Sequence, residues 1–159
     1  MNLYLIRHGD AEKSSISKTD FDRELTPKGR ELTKKSFEAL KKIIKHFDVI
    51  ASSPLIRAVQ TAEIVANIFD HSKKVITDKR ITAGSSSEDL IDFIRSINVE
   101  NIAVVGHEPD MSNYVSALTS SSGMFLEFKK GAIAKINFEG KIRQGNGTLE
   151  FLIPPKVFE

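Results

Sequence analysis

The sequence contains no cysteine, no long apolar run and no large excess of charge of one sign. Without cysteine the chain has no disulfides, no thiolate metal ligands and no cysteine nucleophile. Arg7 and His8 interrupt the apolar start of the chain too early for a signal peptide or a membrane span. These absences predict a cytoplasmic protein that has no membrane partner.

The charge balance and the length further limit the kinds of protein that this chain can be. Lys and Arg number 23 and Asp and Glu number 21, for a net charge of +2, so the composition gives no basis for a nucleic-acid partner. A hydrophobic fraction of 40% in 159 residues is enough to bury the core of one compact domain. We therefore expect a single domain over residues 1–159.

Short apolar runs alternate with amphipathic segments up to about residue 120. The predicted strands are 3–6, 48–52 and 102–105, with a further candidate at 74–77. Helices are predicted after Thr26-Pro27, after Ser53-Pro54, over 87–97 and after Pro109, with Thr26 and Ser53 as capping residues. This alternation is typical of a three-layer α/β/α fold, in which a mainly parallel central sheet carries helices on both faces.

The pattern changes after about residue 120. Segments 125–128 and 132–138, and the two segments that flank residues 144–147, are predicted to be short antiparallel strands near the C-terminus. Asn146-Gly147 within that turn is typical of a β-hairpin. The C-terminal part of the chain is therefore expected to be antiparallel.

Basic side chains follow three of the predicted strands. Arg7 and His8 follow the first, Arg57 lies in the first turn of the helix after the second, and His107 follows the strand 102–105. The carboxyl ends of parallel strands meet at one edge of a sheet, so these groups should converge. Two guanidiniums can bind phosphate oxygens, and two imidazoles can supply a nucleophile and a donor. A metal site is disfavoured because no carboxylate stands at a ligand spacing and the arginines would repel a cation.

Four segments with these residues resemble the histidine phosphatase (phosphoglycerate mutase-like) superfamily, in order and at compatible spacing. They are 5–9, 25–29, 52–62 and 104–109. Within the superfamily, segments 7–12, 107–110, 130–132 and 152–156 resemble the compact phosphohistidine phosphatase branch, the SixA type. The resemblance implies that His8 is the nucleophile and that Arg7, Arg57 and His107 bind and polarise the phosphoryl group, without a metal or other cofactor.

The proton donor is the gap in this resemblance. Many relatives carry a glutamate where this chain has 79–84, or an aspartate directly after the second histidine, where it has Glu108. Glu108, Asp10 and Glu88 are the candidates that the sequence offers. Ser14 stands where mutase-type relatives carry an asparagine on the phosphate, and it is a candidate for that contact.

The pair Asp20 and Asp22 has the spacing of an aspartate-phosphatase motif. Such a motif needs a buried strand before it, and segment 17–19 is not one. We interpret Asp20-Phe21-Asp22 as a solvated loop with Phe21 packed down as its anchor.

The same features suggest a substrate. Only fifty positions separate Arg57 from His107, and predicted elements fill most of them, so the domain has no lid insertion and an open site. An imidazole leaving group can be protonated near neutral pH, because imidazole titrates at about 6.5, and it needs a dedicated acid less than an alkoxide does. We therefore favour phosphohistidine on a signalling protein, such as a histidine phosphotransfer domain. The alternatives are a small-molecule or nonspecific phosphomonoesterase that takes a small phosphate ester, and a non-catalytic phosphate-binding or docking module.

Overall fold

A computed structural model describes residues 1–159 as six strands and four α-helices. The strands are β1 (Asn2–Arg7), β2 (Val49–Ser52), β3 (Ile76–Thr77), β4 (Asn101–Gly106), β5 (Ile133–Asn137) and β6 (Thr148–Ile153). The helices are α1 (Pro27–Leu40), α2 (Ile56–Ile68), α3 (Ser87–Ile97) and α4 (Asp110–Thr119), with 3₁₀ turns at Lys79–Ile81 and Pro155–Phe158. None of these helices has the length and apolar composition needed to span a bilayer.

All six strands form one sheet in the order β3-β2-β4-β1-β5-β6. The first four of these are mutually parallel, and β5 and β6 add to β1 as an antiparallel edge. The predicted mainly parallel sheet with antiparallel strands near the C-terminus is confirmed. The carboxyl ends of β1, β2 and β4 lie side by side, which is where ligands of such sheets bind.

Alternate residues of β1 pack on opposite faces of the sheet. Leu3 and Leu5 belong to a hydrophobic cluster with residues of α3 and α4, whereas Tyr4 and Ile6 belong to a second cluster with residues of α1 and α2. This period of two follows from the pleat of a strand. The sheet is therefore covered on both faces, as the alternation of elements predicts.

The two helix starts that were predicted from a capping residue followed by proline differ in the structure. Thr26 caps α1 as predicted, because its Oγ1 accepts a hydrogen bond from Gly29 N at 2.9 Å. Ser53 does not cap α2, so that prediction was wrong; the helix begins at Ile56 without a side-chain cap. The reason is that Ser53 N still donates to Val105 O at 2.9 Å, so the sheet hydrogen bonding continues past β2.

Two of the predicted C-terminal strands do not form. Segment 125–128 is a loop in which Phe125 is fully exposed and Phe128 is buried. The segment before residues 144–147 is also a loop, because Asn146 Oδ1 accepts the hydrogen bond of Arg143 N at 2.9 Å and removes that donor from a strand ladder. Residues 133–137 and 148–153 do pair as antiparallel strands.

The first turn of α1 lies directly against the loop that follows β1. A Cβ added at Gly29 would be 2.1 Å from the carbonyl oxygen of Asp10, and Thr26 N donates to the same oxygen at 3.0 Å. Only glycine allows this approach, because the atom in the way is backbone and cannot rotate aside. The contact fixes α1 relative to the residues that follow β1.

We expect Gly29→Ala to lower the free energy of unfolding by about 2 kcal/mol, because the overpacking cost exceeds the gain in helix propensity of alanine over glycine. Gly140→Ala is the matched control, since a Cβ there would meet no atom within 4 Å. Urea denaturation of the two variants and the wild type measures the difference. Equal stability of Gly29→Ala and Gly140→Ala would contradict the close approach.

Candidate active site

Three elements bring His8, Arg57 and His107 together at the carboxyl edge of the sheet. His8 follows β1 and His107 follows β4, and these strands are hydrogen-bonded neighbours, so the two imidazoles lie side by side with ring centroids 5.1 Å apart. Arg57, the second residue of α2, donates from Nε to His8 Nε2 at 3.3 Å. Arg7 is close enough for its charge to lower the pKa of both histidines.

His8 is held as a neutral imidazole with a defined proton. Its Nδ1 contacts Gly9 O at 2.7 Å, a carbonyl that can only accept, so Nδ1 carries the hydrogen. The other nitrogen, Nε2, therefore carries the lone pair, which accepts the hydrogen bond of Arg57 Nε. Burial is the main cause that lowers the pKa of His8 to about 3, and the neighbouring cationic groups lower it further. The arginines are thus a smaller cause than burial.

His107 is also buried and neutral, and its contact with Ser53 orients it. Burial, followed by the charge of Arg57, lowers the pKa of His107 to about 4. Its Nε2 lies 2.7 Å from Ser53 Oγ, and Leu55 N donates weakly to the same oxygen at 3.5 Å. Ser53 Oγ has a second lone pair, so it can donate or accept at His107 Nε2. We expect it to donate, which leaves the imidazole proton on Nδ1. That Nδ1 is buried and has no partner within the protein.

The backbone below the site is tied to the segment before β5. Arg7 Nη1 donates to Phe128 O at 2.7 Å, while its Nε is buried without a partner. Gly131 N donates to the carbonyl oxygens of both Arg7 and His8, at 3.1 and 2.9 Å. Gly131 has a φ of +75°, which favours glycine. Segment 128–131 therefore holds both Arg7 and His8 in place.

A buried hydroxyl joins α2 to the loop after β1. Thr61 Oγ1 donates to Arg57 O at 2.8 Å and accepts from Gly9 N at 3.2 Å. Thr61 has no exposed surface. It couples the position of the helix that carries Arg57 to the residue that follows His8.

Asp20 belongs to the site, contrary to the sequence interpretation. Arg57 donates from Nη1 to Asp20 O at 2.6 Å and from Nη2 to Asp20 Oδ2 at 3.1 Å. Arg23, followed by Arg57, lowers the pKa of the Asp20 carboxyl. Phe21 is half exposed, so the expectation that it anchors the loop was wrong. The loop is instead held over the site by its acidic residue, because a nearly buried guanidinium requires an acceptor.

The side chains of the site have little exposed surface. Between α2 and His107 the chain forms β3, a 3₁₀ turn, α3 and β4. Asp20 is bonded to Arg57, and His8, Arg57 and His107 are only 6%, 5% and 4% exposed. An anion that binds Arg57 must compete with the Asp20 carboxylate.

Neither of the two leading proton-donor candidates bonds to the site. Glu108 turns back onto α4, where its carboxylate accepts from Ser112 N at 2.9 Å and from Ser112 Oγ at 2.7 Å. Asp10 binds Lys130 Nζ at 2.8 Å, and this lysine lowers the pKa of the Asp10 carboxyl. With a lowered pKa, the Asp10 carboxyl is deprotonated near neutral pH and has no proton to donate.

The remaining candidates also lie elsewhere. Glu88 hydrogen bonds to Gln144, and Ser14 is exposed and makes no hydrogen bond to any site residue. Asp110 is a buried carboxyl whose pKa is raised by that burial, but it accepts its hydrogen bond from Gly84 N at 2.8 Å. No group of three or more His, Asp or Glu side chains is close enough together to hold a metal ion.

Sequence reasoning missed three residues of the site: Ser53, Thr61 and Asp20. Ser53 directly follows β2, and Thr61 lies one helical turn after Arg57. A search for short polar residues near the carboxyl edge of the predicted sheet would have found both. Asp20 carries no such signal, because a charged residue in a polar loop is usually solvated.

Residues 3–82 match the family described as the histidine phosphatase superfamily (branch 1). A protein of Picosynechococcus sp. described as uncharacterized is 33% identical over 136 residues, which cover 84% of this chain and 82% of that protein. A phosphohistidine phosphatase SixA homolog of Haemophilus influenzae is 27% identical over 150 residues, which cover 88% of this chain and 90% of that protein.

A solved structure shares the fold over its whole length. The protein histidine phosphatase SixA complexed with tungstate superposes with a TM-score of 0.88 at 23% sequence identity, and the match covers 100% of both chains. At this identity the likeness demonstrates the common fold. The six-stranded sheet and its connections are therefore the architecture of that protein.

The neutral state of His8 and His107 makes the stability of the protein acid-sensitive. Below about pH 6.5 the unfolded chain binds protons on both imidazoles, whereas the folded chain keeps His107 neutral to about 4 and His8 to about 3. The free energy of unfolding therefore falls as the pH is lowered from 6.5, by about 1 kcal/mol per pH unit for each histidine. Removing His8 by His8→Asn should make this slope shallower by about that amount.

Urea denaturation between about pH 4.5 and 6.5, the range in which the two states differ in bound protons, measures the slope. An unchanged slope in His8→Asn would show that His8 is not buried as a neutral group.

Ser53→Ala should change the tautomer of His107. With the hydroxyl present we expect the proton on Nδ1, and without it the Nε2–H form should become populated because nothing donates to Nε2. Long-range ¹⁵N–¹H correlation spectra of the imidazole nitrogens distinguish the two forms. Ser52→Ala is the matched control, since Ser52 is also fully buried but donates to Ser53 O at 2.8 Å. The same tautomer in both variants would contradict the assigned direction of the Ser53 hydrogen bond.

Proposed function

The chain belongs to the histidine phosphatase superfamily, and we propose that it removes phosphate from phosphohistidine on a phosphotransfer protein through a covalent intermediate on His8. The observation that carries this proposal is the state of His8: a buried, neutral imidazole whose Nε2 lone pair faces the guanidinium of Arg57. Membership of this superfamily makes the chain a phosphatase-type hydrolase, and the roles of its individual residues are part of the proposal.

In the first step Arg57 Nε moves its hydrogen bond from His8 Nε2 to a phosphoryl oxygen, and the freed lone pair of Nε2 attacks phosphorus in line with the leaving group. The bond from phosphorus to the substrate imidazole breaks, its electron pair stays on that nitrogen, and the imidazole leaves with a proton that it already carries or takes from solvent. Arg7, Arg57 and the Nδ1–H of His107 bind the phosphoryl oxygens and stabilise the charge that builds up on them. Arg57 and His107 are buried, which strengthens these interactions.

In the second step a water attacks the phosphorus of phosphorylated His8. The bond to Nε2 breaks, inorganic phosphate leaves, and the proton of the water passes to the phosphate or to solvent. The charges on the two arginines supply the stabilisation that a metal ion supplies in other phosphoryl-transfer sites. His8 returns to its neutral form, since burial keeps its pKa near 3.

The absence of a placed acid among the candidate residues favours phosphohistidine over an alkyl phosphate. Glu108 and Asp10 are engaged with Ser112 and Lys130, and neither is bonded to the groups around His8. An alkoxide requires a proton from the enzyme to leave, whereas an imidazole can be protonated near neutral pH. The SixA homolog of Haemophilus influenzae supports the same substrate class.

We would incubate the protein without metal, in the presence of EDTA, with a phosphohistidine-carrying phosphotransfer protein and separately with O-phosphoserine, an alkyl phosphate ester whose leaving group is an alkoxide. We expect kcat/KM for phosphohistidine to exceed that for the ester by about tenfold or more, because only the ester needs the missing acid. His8→Ala should lower both by about a thousandfold, because it removes the nucleophile. His46→Ala is the control, at a histidine that is far from the site in the fold.

Other outcomes select the alternatives. Fast cleavage of O-phosphoserine with phosphohistidine intact would make the chain a phosphomonoesterase and mean that an acid exists in the substrate complex. Stable capture of phosphate without turnover, with His8 intact, would make it a phosphate-binding module. Full activity in His8→Ala would remove the covalent intermediate.

A further inference from the structure

A groove with a volume of about 880 Å³ opens beside Arg7. Its walls are the first turn of α1, segment 127–132 and the chain that follows β6. Arg7 lines this groove and also stands next to the two histidines, so the groove runs up to the phosphoryl site. No step of the proposed reaction uses the rest of the groove.

The groove is rich in basic side chains. Four lysines line it in addition to Arg7, and three acidic side chains face them. The lysines are Lys28, Lys129, Lys130 and Lys156, and the acidic residues are Asp10, Glu127 and Glu159. Lys130 pairs with Asp10 and Lys129 with Glu127, which leaves Lys28 and Lys156 exposed and without a salt bridge. The groove therefore carries positive charge that the protein itself does not neutralise.

The first turn of α1 adds to the positive electrostatic potential of the groove. Helices usually carry acidic residues in their first turn, where they face the positive end of the helix dipole. The first turn of α1 contains none, and it places Lys28 there instead. Lys156, on the 3₁₀ turn 155–158, stands on another wall of the groove. The two unpaired lysines thus line the groove from two different elements.

The groove is fixed relative to His8. Lys129 and Lys130 belong to the segment that Arg7 holds through Phe128 O and that Gly131 joins to the carbonyl of His8. Pro155 lies against this segment, because a Cβ added at Gly131 would be 3.3 Å from its side chain. A ligand in the groove would therefore be held at a set distance from the nucleophile.

We propose that this groove binds an acidic segment of the phosphorylated protein, adjacent to the residue that carries the phosphoryl group. The inference rests on the proposed function. Carboxylates of the segment would pair with Lys28 and Lys156, and its apolar side chains would contact the floor that Leu32, Leu152 and Pro154 provide. Phosphate on a small ester fills only the site at His8 and leaves the groove empty, so the groove distinguishes a protein substrate from a small one.

The test compares two double charge reversals that give the same net charge. Lys28→Glu with Lys156→Glu alters the groove, and Lys42→Glu with Lys74→Glu alters exposed lysines that do not line it. We expect the groove pair to lower kcat/KM for the phosphohistidine-carrying phosphotransfer protein by about tenfold, mainly through KM, because complementary charge governs association. With p-nitrophenyl phosphate both pairs should stay within about twofold of the wild type, since the reacting groups are unchanged.

Two results would overturn the inference. Equal losses in the two pairs would show that net charge acts over the whole surface, and wild-type kinetics in the groove pair would show that the partner binds elsewhere. Failure of the proposed function gives a different result: the wild type itself would leave phosphohistidine intact while it cleaves the ester. That result, obtained before any lysine variant is tested, would remove both proposals.

Discussion

The site depends on keeping two imidazoles uncharged beside two guanidiniums at the shared edge of β1 and β4. If His8 and His107 were protonated, four cations would meet in a nearly buried space that contains one bonded carboxylate, Asp20. Burial avoids this by lowering the pKa of both histidines far below neutral pH. The same condition makes His8 nucleophilic, because only a neutral imidazole has a free lone pair. Folding and reactivity therefore have one electrostatic requirement in common.

Asp20 completes the charge balance in the protein without a bound anion. Its backbone carbonyl and its carboxylate occupy both terminal nitrogens of Arg57, which is only 5% exposed. In the proposed reaction a phosphoryl group replaces Asp20 at these donors, and Arg23 remains as a partner of the Asp20 carboxylate at 2.8 Å. The binding free energy of the phosphoryl group would then be the difference between its interaction with Arg57 and that of Asp20. This exchange explains how nearly buried side chains can still bind a substrate.

The sequence predicted correctly those strands and helix starts that depend on residues close together along the chain. The strands before His8 and His107 are short apolar runs, and α1 begins where Thr26 and Pro27 require it to begin. Ser53 has the same residue pattern as Thr26, but a sheet hydrogen bond to Val105 and the contact with His107 claim it instead, and both are contacts between distant parts of the chain. Segment 125–128 is apolar enough for a strand, yet Phe128 O binds Arg7 in place of a neighbouring strand.

The proposed reaction involves few contacts with the part of the substrate that differs from one phosphorylated molecule to another. In the proposed reaction Arg7, Arg57 and His107 contact only the phosphoryl group, which is the same in every phosphorylated molecule, and the imidazole leaving group needs no acid of the enzyme to contact it. Selectivity must then come from surfaces outside the reacting groups. The groove beside Arg7 also includes walls from α1 and the chain after β6, and neither of these carries His8, Arg57 or His107. In the proposal, Lys28 and Lys156 on these walls contribute to recognition of the protein substrate and not to the reaction at His8.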